Sequence, residues 1–138
     1  MEEFTPSIKV WFCLDADEVD LGYVTKKLGI IPTETRTRES FPPQSIAAGF
    51  AKDVWSFIIK EENCIAVSIL FEKLLSVFKG KEGIIKKLCD DLGLEAAFEV
   101  VIHMQDGNSP EVVLPREVIA FAAAINAEIG FDLYCYEL

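Results

Sequence analysis

The stretch Ser7-Ile-Lys-Val-Trp-Phe-Cys-Leu14 has the period of a β-strand and sets the fold class of this chain. Because successive side chains of a strand point to opposite sides, one side carries Ile8, Val10, Phe12 and Leu14. The other side carries Lys9, Trp11 and Cys13. The strand therefore predicts a sheet with one apolar face and a second face that bears aromatic groups.

Strand and helix periods alternate along the rest of the chain. Asp20 is placed to cap a first helix, Gly29 and Pro32 end it, and Gly80 separates two later helices. An Asp-Gly turn after the third long strand predicts a hairpin. The predicted order is strand 7–14, helix 21–31, strand 54–60, helices 65–92, strand 97–104, short return strand 112–114, helix 115–130 ended by Gly130, and strand 131–138.

This order predicts an α+β protein with a ferredoxin-like sandwich, built from two βαβ halves, a helical insertion between the halves and an extra hairpin strand. Right-handed crossovers put the helices of both halves on one sheet face. That face is predicted to carry Ile8, Val10, Phe12, Trp55, Phe57, Phe98, Val100, Ile102, Phe131 and Leu133. The opposite face gathers Trp11, Ile58, Val101, His103, Tyr134 and Tyr136, with Glu99 and Asp132 among them.

Two interpretations of this second, aromatic face remain open. The inserted helices fold over it, which we favour because two amphipathic helices need apolar surface to cover. Otherwise the face is a large exposed patch, and such patches mark the sites of partners or ligands. The candidate interface is then Trp11, His103, Asp132, Tyr134 and Tyr136, with a homodimer or another protein as the partner. An RNA-binding sheet is excluded because the basic rim for phosphates is missing.

Composition narrows the function classes further. The 138 residues fit a single domain, 1–138, and the net charge of −10 disfavours nucleic acids and anionic membranes as partners. The four cysteines form no CxxC pair, and no apolar run reaches the length of a membrane helix. The first residues lack the pattern of a secretory signal. We expect a cytoplasmic protein without metal or cofactor.

The sequence contains few groups of residues that could carry out catalysis. The segment Asp15-Ala-Asp17 after an apolar strand resembles the first motif of haloacid-dehalogenase-type phosphotransferases, which implies a nucleophile at Asp15 and a general acid at Asp17 beside Mg²⁺. The later motifs of that family are missing, so a solvated, helix-capping acidic turn is the favoured interpretation. His103 is the only histidine, which excludes a multi-histidine metal site. No catalytic residue is predicted.

A candidate ligand site lies in the irregular stretch 32–53. Arg36 and Arg38 are two residues apart, so in an extended loop they would point the same way and hold a carboxylate or phosphate group. Trp55, which begins the next strand, completes this candidate site. The alternative, which we favour, is that the two arginines pair with Glu34, Glu39 or another surface acid.

Several short motifs together are similar to a known family. They are the acidic turn, Leu28-Gly29-Ile30-Ile31-Pro32-Thr33, Trp55-Ser56, and Gly130-Phe-Asp132-Leu-Tyr134. The order resembles a bacterial domain-of-unknown-function family, number four-two-seven-nine, over about residues 7–136. The resemblance implies a small α+β protein of bacterial origin and no established activity. Members carry a basic residue and a glycine soon after the Pro-Thr; Arg36 and Arg38 match the first, whereas the next glycine is Gly49.

The sequence therefore supports three hypotheses of different classes. The first is a non-enzymatic binding or interaction module, suited by its charge to a basic protein partner. The second is a domain that binds a small anionic ligand with the 32–53 loop. The third, well behind the others, is a Mg²⁺-dependent phosphotransferase at Asp15 and Asp17.

Overall fold

Strand β1, Ser7–Ala16, lies at the centre of a five-stranded sheet in the computed structural model, which describes residues 6–137. Every second residue of β1 is buried, as the alternation in its sequence predicts. The other elements are α1 (Leu21–Leu28), β2 (Glu34–Arg36), α2 (Pro43–Ala47), β3 (Asp53–Glu61), α3 (Val67–Phe78), α4 (Glu82–Leu92), β4 (Glu95–Gln105), α5 (Arg116–Ala124) and β5 (Glu128–Tyr136). A 3₁₀ turn, Arg38–Ser40, follows β2.

The strand order of the sheet is β2-β3-β1-β4-β5. Strand β1 pairs antiparallel with both β3 and β4, so Trp11 lies opposite Ile58 on one side and Glu99 on the other. Strands β4 and β5 are parallel and are joined through α5. The protein is therefore α+β, as expected. The ferredoxin-like arrangement is not confirmed, because a split βαβ half places a third strand between the two parallel strands that it joins. Here β4 and β5, joined through α5, are adjacent, and β3, the predicted partner of β1 in the first half, is antiparallel to it.

The inserted helices α3 and α4 pack on the sheet face that carries Phe12, not on the aromatic face. Phe78 of α3 meets the Phe12 ring with a centroid separation of 4.9 Å, and Phe71 meets Phe98 at 5.6 Å. The expectation that these helices cover the aromatic face is therefore wrong. Both sheet faces offered apolar surface, and the helices cover the one whose large side chains form a continuous core, with α1 and α5 on the same side.

Capping residues fix the first helix as predicted. The Asp20 carboxylate accepts a hydrogen bond from the backbone N–H of Tyr23, and Gly29 ends α1 in the left-handed conformation with φ 68°.

The last helix is shorter than predicted. It ends at Ala124, Asn126 takes φ 56°, and β5 already begins at Glu128, so Gly130 is a strand residue rather than the end of the helix.

Two short segments differ from the sequence-based expectation. The predicted return strand at 112–114 is absent: that segment has no regular secondary structure, Val112 and Val113 are exposed, and a single bridge joins the preceding Glu111 to Ala66. A strand not predicted, β2, pairs with β3 at the opposite edge of the sheet. All three β2 side chains are exposed, so its sequence shows no apolar alternation.

A buried carboxylate ties the irregular segment between β2 and β3 to the rest of the fold. Asp53 is 9% exposed. One of its oxygens accepts the backbone N–H of Arg38 at 2.7 Å, and the other accepts the N–H of Val19 at 3.0 Å. The start of β3 thus holds both the 3₁₀ turn and the link between β1 and α1.

Candidate interaction surface

The sheet face opposite the helices, which we call the open face, is uncovered in the part of the chain that the structure describes. Register assigns to it the odd-numbered residues of β1 and β4 and the even-numbered residues of β3 and β5. All five residues of the candidate interface lie on it: Trp11, His103, Asp132, Tyr134 and Tyr136. The sequence pattern therefore placed these residues on the correct face.

Three aromatic rings line one end of the open face. The His103 ring stacks on Tyr134 with a centroid separation of 4.8 Å and is also parallel to the Tyr136 ring at 5.8 Å. The Nδ1 atom of His103 is 2.9 Å from the Tyr136 hydroxyl oxygen. The Tyr134 hydroxyl donates to Asp132 at 2.9 Å, and this bond together with the Asp132 charge raises the pKa of Tyr134. Asp132 therefore pairs with Tyr134 of its own strand.

Cationic groups lie toward the centre of the same face. The Lys9 ammonium lies 5.1 Å from the centre of the Trp11 ring, which is cation–π distance. Lys60 is directly opposite Lys9 on the neighbouring strand. A cavity of about 350 Å³ opens between these lysines and the aromatic end of the face.

Strand β5 is the most exposed of the long strands of the sheet. It forms the edge beyond β4, and four of its large side chains are 42–60% exposed: Phe131, Leu133, Tyr134 and Tyr136. Phe131 and Leu133 lie on the helix side, where they were expected to pack. They stay exposed because α5 contacts β4, through Phe121 against Phe98 at 6.2 Å, and leaves the last strand uncovered.

Within residues 6–137 no strand pairs with the outer side of β5, so its backbone presents unpaired hydrogen-bonding groups at this edge. The Tyr136 carbonyl accepts the N–H of Asp106, so it points toward β4. Because N–H and C=O groups alternate in direction along a strand, those of Phe131, Leu133 and Cys135 point away from the sheet. An exposed edge of this kind can pair with another extended chain.

The arginine site is not assembled as predicted. The Arg36 guanidinium stacks on the Phe41 ring at 3.8 Å, whereas Arg38 lines a separate cavity of about 280 Å³ whose wall is acidic. That wall includes Asp17, Glu18, Glu39 and Asp53. Neither arginine forms an ion pair within residues 6–137, so the expected pairing with Glu34 or Glu39 is not seen.

Trp55 is not available to a ligand. It is fully buried in the core, where its Nε1–H donates to the Thr25 hydroxyl at 3.0 Å and its ring meets Phe12 edge to face. The strand period already assigned it to the helix face, and that assignment is correct. Its side chain points into the core on the helix side of the sheet, so the structure does not bring it together with the two arginines.

Asp15 and Asp17 lack the surroundings that phosphoryl transfer needs. Both neighbours of β1 are antiparallel, so the end of β1 meets the start of β4, and Asp15 faces Glu95. Burial, and then Glu95, raise the pKa of Asp15. Asp17 is held by Lys52 at 2.7 Å, which lowers its pKa. Within residues 6–137, no three His, Cys, Asp or Glu side chains come together as a metal-binding group.

Sequence reasoning missed the edge of β5 as a functional candidate. Its signal is present in the sequence, because residues 117–138 contain no lysine or arginine, the residues that commonly protect edge strands. The exposure of this edge could not be recognised from the sequence, because Phe131 and Leu133 alternate in the way that core residues of a strand do.

A family model described as Domain of unknown function (DUF4279) matches residues 6–136. This match confirms the resemblance that the short motifs indicated. No curated protein matches the chain, and no solved structure does. In the described region, no helix has both the length and the apolar character required to cross a bilayer.

Proposed function

Because the chain belongs to the family described as Domain of unknown function (DUF4279), whose description assigns no activity, we propose its function from its own surface: it is a non-enzymatic interaction module. It binds an extended segment of a basic partner protein along the outer edge of β5. The segment adds a strand to the sheet, with main-chain hydrogen bonds for affinity and side-chain contacts for specificity.

The exposure of β5 is the observation that carries this proposal. A nine-residue edge strand with outward N–H and C=O groups and four large exposed side chains offers both parts of such a contact. The Tyr134 and Tyr136 rings would contact one side of the added strand, and Phe131 and Leu133 the other. Aromatic side chains are enriched among the residues that dominate binding energy.

Charge supports a basic partner. Residues 117–138 carry four acidic residues, Glu117, Glu128, Asp132 and Glu137, against no lysine or arginine. A partner strand rich in Lys and Arg would therefore meet complementary charge and would be steered toward this edge. Two copies of this chain, each with a net charge of −10, repel each other instead. A homodimer through β5 is for this reason the less favoured partner.

The proposal is tested with a displayed library of nine-residue peptides in which Lys, Arg or Glu alternates with Val, Ile, Thr or Tyr. Selection is run in parallel on the wild-type protein, on Leu133→Pro and on Leu133→Ala. The Leu133 N–H points outward, so proline removes an edge donor without breaking the β4–β5 ladder. Alanine is the matched control, because it shortens the side chain and keeps the N–H.

We expect basic peptides to be enriched on the wild-type protein and on Leu133→Ala, and to be lost on Leu133→Pro. Bound peptide should slow amide exchange at Phe131, Leu133 and Cys135. Equal enrichment on the proline variant would refute binding at the edge. If sedimentation shows a concentration-dependent dimer that protects the same amides, the partner is a second copy rather than a basic protein.

A further inference from the structure

Lys9 and Lys60 are directly opposite each other across β1 and β3 on the open face. Such a pair is about 5 Å apart at Cβ, and like charges at this position destabilise a sheet. Four other lysines of the described region each hold an acidic side chain: Lys52, Lys73, Lys86 and Lys87. Lys9 has no acidic partner within 4 Å in residues 6–137; it lies over the Trp11 ring instead.

The polar side chains of the adjoining cavity are all able to donate hydrogen bonds. The cavity has a volume of about 350 Å³, and no acidic residue among residues 6–137 lines it; the lining residues in this range are Ser7, Ile8, Lys9, Lys60, His103 and Tyr136. Two neighbouring acids are already engaged: Glu62 contacts Lys60 at 3.2 Å, and Asp132 accepts the Tyr134 hydroxyl. In a chain with a net charge of −10, this local group of cations and donors is an exception.

Whichever of His103 and Tyr136 donates the hydrogen bond between them, the pair keeps one further N–H or O–H group that can donate to a ligand. If the Tyr136 hydroxyl donates to Nδ1, the neutral His103 ring carries its proton on Nε2. If Nδ1–H donates instead, the Tyr136 hydroxyl keeps its own proton for another acceptor. In both tautomers the pair presents one N–H or O–H group in addition to the two ammonium groups and the Ser7 hydroxyl.

We propose that this cavity binds the phosphate or carboxylate group of a small molecule. A bound anion compensates the two facing lysines, and it accepts hydrogen bonds from Ser7 and from the His103–Tyr136 pair. The volume is within the range of small-molecule sites, which begins at about 300 Å³. The site is separate from the arginine loop, and its two lysines lie on β1 and β3 rather than on the β5 edge.

The test uses the single histidine of the chain as a reporter. The His103 Cε1–H signal is followed by NMR while inorganic phosphate or acetate is added at constant pH, with sodium chloride of equal ionic strength as the reference. We expect a saturable shift with at least one of the two anions. Saturation with phosphate alone indicates a phosphate ligand, and saturation with acetate alone indicates a carboxylate; both results support the proposal.

A pair of double variants provides a second test of the proposed anion site. Lys9→Gln/Lys60→Gln should weaken the affinity at least tenfold, whereas Lys86→Gln/Lys87→Gln, on a helix behind the sheet, should leave it unchanged. Amide spectra establish that both variants are folded. A linear response equal to that of chloride, or the same affinity in the Lys9→Gln/Lys60→Gln variant, would overturn the proposal. Either result would leave binding at the β5 edge untouched, because no backbone group of β5 is involved.

Discussion

Replacement of Asp53 by alanine should lower the free energy of unfolding by about 3 to 4 kcal/mol. Its carboxylate accepts two backbone N–H groups, those of Arg38 at 2.7 Å and Val19 at 3.0 Å. A hydrogen bond to a charged group contributes about 1.5 to 3 kcal/mol. We take the lower part of that range for each bond, because both are only partly buried and water can replace the carboxylate.

Two further variants test whether the loss of stability comes from the two hydrogen bonds of Asp53. Asn at position 53 keeps one acceptor oxygen and turns an amide toward the second N–H, so Asp53→Asn should lose about half as much free energy as Asp53→Ala. Glu39 lies in the same segment but is exposed, so Glu39→Ala should leave the unfolding midpoint unchanged.

Urea unfolding followed by tryptophan fluorescence measures these differences, since Trp55 is fully buried and reports loss of the core. Amide exchange across 38–52 should quicken in Asp53→Ala before global unfolding. A loss below about 0.5 kcal/mol for the alanine variant would refute the anchoring role of the carboxylate. Wild-type stability in Asp53→Asn would refute the two-acceptor geometry.

Three other predictions follow from single groups. Burial raises the pKa of the Asp15 carboxyl in the folded state, so its contribution is present at low pH and is lost as the pH rises through that value. Asp15→Asn should therefore flatten the stability curve above about pH 4, the ordinary pKa of an Asp carboxyl, and gain under about 1 kcal/mol at pH 7, measured by urea titration. Thr25→Val removes the acceptor of the Trp55 Nε1–H and should cost about 1 to 2 kcal/mol in thermal unfolding, which Thr25→Ser should restore. The exposed Cys135 thiol should react with a disulfide reagent in the native protein, whereas the buried Cys64 should react only after unfolding; a fast phase that persists in Cys135→Ser would contradict this assignment.

Local elements could be predicted from the sequence because short-range chemistry determines them. The alternation of β1, the Asp20 cap and the Gly29 end of α1 each depend on residues within one or two turns. The end of α5 was placed too late because Ile129 continues the apolar spacing of the helix. The spacing of Ile129 does not reflect a helix. The chain leaves the helical conformation at Asn126, which is left-handed, and continues as β5 from Glu128.

Long-range arrangement could not be predicted in the same way. Periodicity shows that the inserted helices have apolar faces, and it does not show which side of the sheet they cover, since Phe12 and Trp11 offer apolar surface on opposite sides. Strand direction is likewise set by the path of the connecting segments. The short strand β2 and the exposed β5 edge depend on those paths, so the candidate site became visible only in three dimensions.

The central position of β1 also affects how the chain folds while it is being synthesised. Ser7 pairs with His103, and Ile8 pairs with both Glu61 and Ile102, so the first of the described strands to be synthesised waits for partners made much later. Pairings between distant segments form slowly, and unpaired apolar strands are prone to aggregate meanwhile. Until β4 has emerged, one edge of β1 stays unpaired, so we expect the nascent chain to be most prone to aggregation at this stage.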